Sequence, residues 1–273
     1  MAPGQTEKNH LTMKNHSKLQ FGLYHAVIVG GLFMLWQMLS SRGLISPFFF
    51  GEPAHIFGVI GRWFTSGEIY IHLLVTLAET VFAFVIGAAL GMVLGLWLAL
   101  SPFWSRLFEP YIKAANAMPR VIFAPIFAIW FGLGIWSKVA LGVTLVLFVV
   151  FFNVYQGVRE VSPTLIANAR MLGASKKHML RYVYLPSAAS WVFSSLHNAI
   201  GLAFVGAVIG EYLGSSRGVG HLILQAESVF DVNTVFAGII VLSAFALTLD
   251  AVMTRIERKV LVWSPNHGTS SQV

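Results

Sequence analysis

The sequence predicts an all-α polytopic membrane protein with about six transmembrane helices. Of its 273 residues, 56% are hydrophobic and only 11% are charged, and the mean hydropathy is +0.74. A soluble domain carries about 25% charged residues. Long apolar runs also recur along the chain, and a helix needs about 20 apolar residues to cross the hydrocarbon core. These observations leave a multi-span helical protein as the class that fits.

Six apolar segments are the expected spans. Their approximate bounds are 21–39, 73–100, 111–131, 139–152, 187–210 and 236–253. The third is expected to be broken by Pro119 and Pro125. No small-residue cleavage site follows the first segment, so it is interpreted as an uncleaved span. Residues 54–64 are expected to form a short amphipathic helix at the interface. The expected domains are a polar cytoplasmic tail (1–18), a transmembrane domain (19–260) and a C-terminal tail (261–273).

The net charge of +7 is explained by topology rather than by nucleic-acid binding. With six spans and the N-terminus inside, Arg42, Arg62, Lys138 and Arg217 fall outside. Twelve of the 18 basic residues fall on the cytoplasmic side: Lys8, Lys14, Lys18, Arg106, Arg159, Arg170, Lys176, Lys177, Arg181, Arg255, Arg258 and Lys259. This excess obeys the positive-inside rule. We therefore expect both termini to be cytoplasmic.

Several kinds of chemistry are missing from the sequence. It has no cysteine, no Walker A motif and no hydrolase or metalloprotease motif, and its nine histidines lack metal-ligand spacing. We therefore expect no catalytic residue, no metal site, no cofactor and no nucleic-acid partner. Any ATP hydrolysis would need a separate chain.

Residues 162–186 are the one polar, basic interruption between apolar segments. Pro163 after Ser162 predicts the start of a helix, and Gly173 predicts its left-handed end. Ser175 predicts a second short helix that Pro186 closes. The first helix of this segment is expected to carry an apolar stripe, made of Leu165, Ile166, Ala169 and Leu172. A stripe too apolar for a free loop predicts a docking partner.

This segment resembles the cytoplasmic EAA loop of ABC-importer permeases. That pattern is Glu-Ala-Ala, three residues, Gly, nine residues, Ile, one residue, Leu-Pro. Ala167-Asn168-Ala169 stands at the triplet, Gly173 at the glycine, Val183 at the isoleucine, and Leu185-Pro186 matches outright. Ala167 departs from the pattern by replacing Glu. The resemblance implies contact with an ATPase subunit through Ala167, Asn168, Ala169, Leu172, Gly173, Ala174, Ser175, Leu185 and Pro186.

A second stretch resembles a narrower branch, the permeases for nitrate, sulfonate, taurine and related anions. The matching residues are Pro119, Ala124, Pro125, Trp130, Phe131, Gly132 and Gly134. Glu211, Gly218 and Gly220 match a further branch pattern of Gly-Glu followed by Gly-x-Gly, and we expect this glycine pair to shape an external turn.

Together these resemblances imply a type I ABC-importer permease in the cell inner membrane. It would be a non-catalytic subunit that forms the pathway for a small, anionic solute. Its implied partners are an ABC ATPase, a periplasmic or extracellular solute-binding protein, a second permease copy in a homodimer, and membrane lipid. The alternative is an ion-coupled secondary transporter that works without an ATPase.

Four polar residues in the spans are candidates for the pathway or for core pairing: Glu79, His197, Asn198 and Glu211. A charge in a span is retained when it faces water, a partner or the protein interior. We expect Glu79 either to pair with Arg120 or Lys113 or to lie near the external mouth, and His197 to be a hydrogen-bonded core residue. Gly87, Gly91 and Gly95 predict close packing by another helix.

Overall fold

The computed structural model describes residues 24–25 and 27–260, and all regular structure in these ranges is helical. A 3₁₀ turn (Arg120–Phe123) precedes α6, and a π turn (Leu180–Tyr184) joins α9 to α10. The helices are α1 (Val27–Ser41), α2 (Pro47–Phe50), α3 (Pro53–Ser66), α4 (Glu68–Ala99), α5 (Pro102–Ala117), α6 (Ala124–Phe131), α7 (Ile135–Arg159), α8 (Pro163–Met171), α9 (Lys176–Met179), α10 (Leu185–Leu213), α11 (Val219–Ser228) and α12 (Val232–Val260).

The described residues fall into two compact units. The smaller comprises residues up to Arg62 together with Ala226–Ala237, and the larger comprises the remainder. Within the smaller unit, the Ser40 hydroxyl donates to the Gly51 carbonyl (3.0 Å), and the Glu52 amide donates to Asn233 Oδ1 (2.8 Å). The larger unit holds all the sites described below.

The core of the larger unit lies where α4, α7 and α10 pack together. Its buried residues are small or β-branched: Ala83, Ala88, Val146, Val150, Val154, Ala199 and Ala203. A Cβ placed on Gly91 would lie 2.7 Å from the carbonyl oxygen of Leu147, and one on Gly95 would lie 2.9 Å from that of Phe151. The predicted close approach at these glycines is therefore confirmed, and its partner is α7.

The described residues contain fewer full-length spans than the six predicted. Four segments are long and apolar enough to cross a membrane: α4, α7, residues Trp191–Leu213 of α10 and residues Val232–Lys259 of α12. A fifth counts if α5 and Arg120–Phe131 are one broken span. The first predicted span lies partly outside the described residues, and within them α1 is apolar but shorter than 18 residues. Both predicted tails, 1–18 and 261–273, also lie outside.

The third predicted span is bent by 83°. Its break lies at Pro119, as predicted, where the backbone is extended (φ −68°, ψ 102°). Pro125 does not break a helix. It lies in the first turn of α6, where a missing amide hydrogen costs no helical bond. The predicted interfacial helix at 54–64 corresponds to α3, whereas α11 was not predicted.

Candidate functional site

The 162–186 loop folds largely as its turn residues predict. Helix α8 begins at Pro163, although the Ser162 side chain makes no capping hydrogen bond. Gly173 has a left-handed φ of +76°. The Ser175 hydroxyl accepts a hydrogen bond from the His178 amide (3.4 Å) at the start of α9. The two predicted short helices and the turn between them are therefore present.

The predicted end of the second helix is wrong. Pro186 does not close it, because the chain continues from α9 through the π turn into α10 without a break. Proline lacks an amide hydrogen and its ring clashes with the carbonyl four residues earlier in an α-helix. The wider π turn at Leu180–Tyr184 accommodates Pro186 in the first turn of α10. The part of the loop from α9 onward and the span that follows it are thus one continuous helical segment.

The predicted apolar stripe is also partly wrong. Ile166 and Ala169 turn inward and pack on a small core of Val161, Met179 and Val183. In contrast, Leu165 and Leu172 are 45% and 88% exposed, because the stripe's four residues do not all face the same side. Met171, beside Leu172, is 78% exposed. The loop therefore has its own core and presents apolar side chains at its tip.

The remaining loop candidates lie on the same element. Ala167 and Asn168 are exposed on α8, Ala174 is half-buried against the loop core, and Leu185 and Pro186 are exposed. The basic residues Arg170, Lys176 and Lys177 are exposed, and within the described ranges they form no salt bridge. The surface of the loop is thus apolar at its tip and positive around it.

A second group of candidates forms a buried polar cluster. Glu79 and Glu211 are 1% and 0% exposed, and their carboxyl groups are close enough to interact electrostatically. The expected pairing of Glu79 with Lys113 or Arg120 is wrong. Lys113 instead pairs with Glu109 (2.6 Å), and Arg120 donates to Asn116 Oδ1 (2.6 Å). The cation beside the two carboxyl groups is Lys138.

Lys138 is the residue that the sequence analysis missed. It was assigned to an external loop, but it lies within α7 and is 1% exposed. Its ammonium donates to the carbonyl oxygens of Leu133 (2.6 Å) and Gly134 (3.0 Å). One sequence feature could have predicted this burial. Lys138 directly precedes an apolar segment, where a lysine inside a span needs buried partners.

The cluster also holds the turn that precedes α11. Glu211 accepts hydrogen bonds from the Thr76 hydroxyl (2.6 Å) and the Gly220 amide (2.7 Å). Gly218 has a φ of +109°, and a Cβ there would collide with the Glu211 carboxyl group. The Gly-x-Gly pattern therefore gives the backbone room to approach Glu211, and its predicted role in a turn is confirmed. The cluster links α4, α7, α10 and this turn.

His197 and Asn198 lie apart from that cluster. His197 Nε2 is 3.2 Å from Asp250 Oδ1, and Nδ1 is 3.1 Å from Glu257 Oε2. The ring is therefore held between two carboxylates of α12. A cavity of about 280 Å³ adjoins it, lined in part by Asn198, Gly201 and Phe204. Asn198 is exposed.

Comparison with known proteins gives a consistent match. The family described as "Binding-protein-dependent transport system inner membrane component" matches residues 87–262. Similar proteins include the aliphatic sulfonates transport permease protein SsuC of Bacillus subtilis, 30% identical over 88% of this chain and 86% of that protein. The formylaminopyrimidine transport permease protein ThiX of Halalkalibacterium halodurans is 32% identical, with coverages of 85% and 92%.

One more transport permease and one solved structure are also similar to this chain. The taurine transport system permease protein TauC of Escherichia coli is 26% identical over 85% of this chain and 86% of that protein. Among solved structures, the inward-facing MetNI methionine ABC transporter aligns with a TM-score of 0.62 at 17% identity, covering 71% of this chain and 98% of that one. At that identity the likeness concerns the fold.

Proposed function

The chain belongs to the binding-protein-dependent transport system inner membrane component family, and we propose that it forms the translocation pathway of an ATP-driven importer for a small solute. The observation that carries the proposal is the 162–186 loop. Its own core makes it a defined two-helix element, and its exposed tip, Met171 and Leu172, has no covering partner within the described residues. Such a surface is suited to docking on another subunit.

The proposed partner at this loop is a separate ATPase, since the sequence has no nucleotide-binding motif. The contact with the ATPase would involve the exposed loop residues, with the tip (Met171 and Leu172) and the adjoining Gly173 at its centre. The loop continues into α10 without a break, so a displacement of the loop would be passed to a span. ATP binding drives transport only if the ATPase contacts the loop differently in its two states. We propose that this loop and both termini are cytoplasmic, because most of the basic residues fall on that side of the six predicted spans.

The pathway itself is proposed to lie along an exposed face of α10 that borders the cavity between α10 and α12. Ser194, Asn198 and Gly201 recur at helical spacing and are exposed, although serine and asparagine are poorly suited to face lipid. A second copy of the chain on this face would enclose them, which supports a homodimer with His197 and Asn198 near the route. The closed cluster of Glu79 and Glu211 is proposed to be structural.

The solute class follows from the relatives and not from a bound ligand. Proteins of this length and similarity are named for aliphatic sulfonates, taurine and formylaminopyrimidine. We infer a small organic solute, with an anion as the first class to test. A solute-binding protein would deliver it, as the family's description implies.

The test is reconstitution in liposomes. The chain with its cognate ATPase and binding protein should take up solute only when ATP is supplied, and the chain alone should not. The Leu172→Asp variant of the chain tests the docking tip. It should still insert into the membrane, but it should no longer stimulate the ATPase. Uptake by the chain alone, driven by an ion gradient, would overturn the proposal in favour of a secondary transporter.

A further inference from the structure

A groove with two chemically different ends lies between α4, α5 and α7. One end is a cavity of about 180 Å³ and the other a cavity of about 240 Å³. They share three wall residues, Leu98, Ile112 and Phe151, and therefore form one feature, which we call the α4–α5–α7 groove. None of its residues belongs to the loop, the buried cluster or the α10 face.

The two ends differ sharply in polarity. The smaller cavity combines apolar walls with hydroxyl and charged groups, namely Ser105, Glu109, Lys113, Tyr155 and Arg159. The larger one has exclusively apolar or aromatic lining: Leu94, Trp97, Leu98, Phe108, Ile112, Leu147, Phe148 and Phe151. A site with this division suits a ligand that has a polar head and a hydrocarbon body.

The polarity changes along the axis of a span. On α7, Arg159 lies in the last turn, and Tyr155, Phe151 and Leu147 follow at four-residue intervals towards the middle of the helix. At 1.5 Å per residue, Arg159 and Leu147 are about 18 Å apart along the axis. Half of a hydrocarbon core is about 15 Å thick. The groove therefore runs from the end of a span to about the depth of one leaflet.

Hydrogen bonds prepare the polar end for a phosphate group. Arg159 Nη1 donates to Tyr155 Oη (2.5 Å), which is 2.5 Å from Ser105 Oγ. Glu109 pairs with Lys113 and interacts more weakly with Arg159 at longer range, and Arg159 forms no close ion pair within the described residues. The guanidinium has five N–H donors, so donors remain for a ligand. A guanidinium beside two hydroxyl groups is complementary to a phosphodiester.

We propose that the α4–α5–α7 groove binds a membrane phospholipid. Its phosphodiester contacts Arg159, Tyr155 and Ser105, and one acyl chain lies between Leu94 and Leu147. Charge complementarity and the change of polarity along the span favour a lipid over a second copy of the chain. Trp97 in the last turn of α4 and Trp104 in the first turn of α5 have ring centroids 5.9 Å apart, and tryptophan is enriched at membrane interfaces. The lipid site is independent of the proposed function, and only its assignment to the cytoplasmic leaflet rests on it.

The test measures the phosphatidylglycerol retained by the purified full chain, using native mass spectrometry. Arg159→Gln should lower retention about tenfold, because it removes a charge-assisted contact. Leu94→Trp should lower it comparably by filling the apolar end without changing charge. The matched control is Arg106→Gln, on the same side of the bundle but outside both cavities. Inorganic phosphate at equal concentration should not displace the lipid.

Three results would overturn the proposal. Equal retention by all variants would mean that lipid adheres elsewhere, and displacement by inorganic phosphate would indicate a free-phosphate site. The chain has no native cysteine, so disulfide formation between two Ile112→Cys copies in the membrane would show that the groove is a protein interface. ATP-dependent uptake is a separate measurement, and its failure would count against the proposed function without affecting lipid retention.

Discussion

Two buried carboxyl groups define the chemistry of this protein at the scale of single residues. Glu79 and Glu211 come from α4 and α10, are almost fully buried and lie near each other. The second oxygen of Glu79 has no hydrogen-bond partner in the described part of the chain. Lys138 supplies the nearby positive charge. Glu79, Glu211 and Lys138 are all at most 1% exposed, and this burial favours a structural role over contact with a solute.

Replacing Lys138 by Met should be strongly destabilising. The change removes the cation beside the carboxyl pair and leaves the carbonyls of Leu133 and Gly134 without their donor. Removing one partner of a buried hydrogen bond costs about 1–3 kcal/mol. We expect a lower midpoint of thermal unfolding in detergent, measured by the fluorescence of the eight tryptophans.

Glu79→Gln is the matched conservative change. The amide keeps the shape of the side chain and its capacity to hydrogen-bond, so the stability loss should stay within about 1 kcal/mol. Solute preference and apparent affinity should be unchanged. If Glu79→Gln shifts the apparent affinity for solute while Lys138→Met leaves stability intact, the cluster belongs to the pathway instead.

The 162–186 loop is the element whose geometry most constrains function. Gly173 has a positive φ, and no atom lies within 4 Å of where its Cβ would be. A substitution there is therefore opposed by backbone strain and not by crowding. Gly173→Val should cost about 1–2 kcal/mol locally, misalign α8 relative to α9 and reduce ATPase stimulation.

Its control is Gly173→Asn, because asparagine tolerates the left-handed region. Gly173→Asn should keep most of the stimulation while both variants insert into the membrane normally. Wild-type stimulation by Gly173→Val would show that the turn is not required for coupling.

At the scale of the whole molecule, the exposed face of α10 predicts how copies meet. If two chains enclose the pathway along that face, Asn198→Cys should form a disulfide across the dimer in membranes, since the chain has no other cysteine. Leu247→Cys on α12, which is also exposed (72%), should not. Cross-linking at Leu247 but not at Asn198 would place the interface elsewhere.

The sequence by itself determined the class of the fold, the positions of the main spans and the turn chemistry of the 162–186 loop. These depend on local properties, namely apolar length, the backbone freedom of Gly173 and the capping ability of Ser175. Gly87, Gly91 and Gly95 likewise predicted a close contact with another helix. They did not identify α7 as the partner.

Only the tertiary structure decided which distant side chains meet. Glu79, Lys138 and Glu211 come from three helices, and their sequence separation gives no measure of their distance. The predicted topology even assigned Lys138 to an external loop. A lysine at the start of an apolar segment has the same sequence context whether it faces water or buried carboxyl groups. The inward turn of Ile166 and the outward turn of Leu172 depended in the same way on Met179 and Val183, which the chain brings back against α8 after the turn at Gly173.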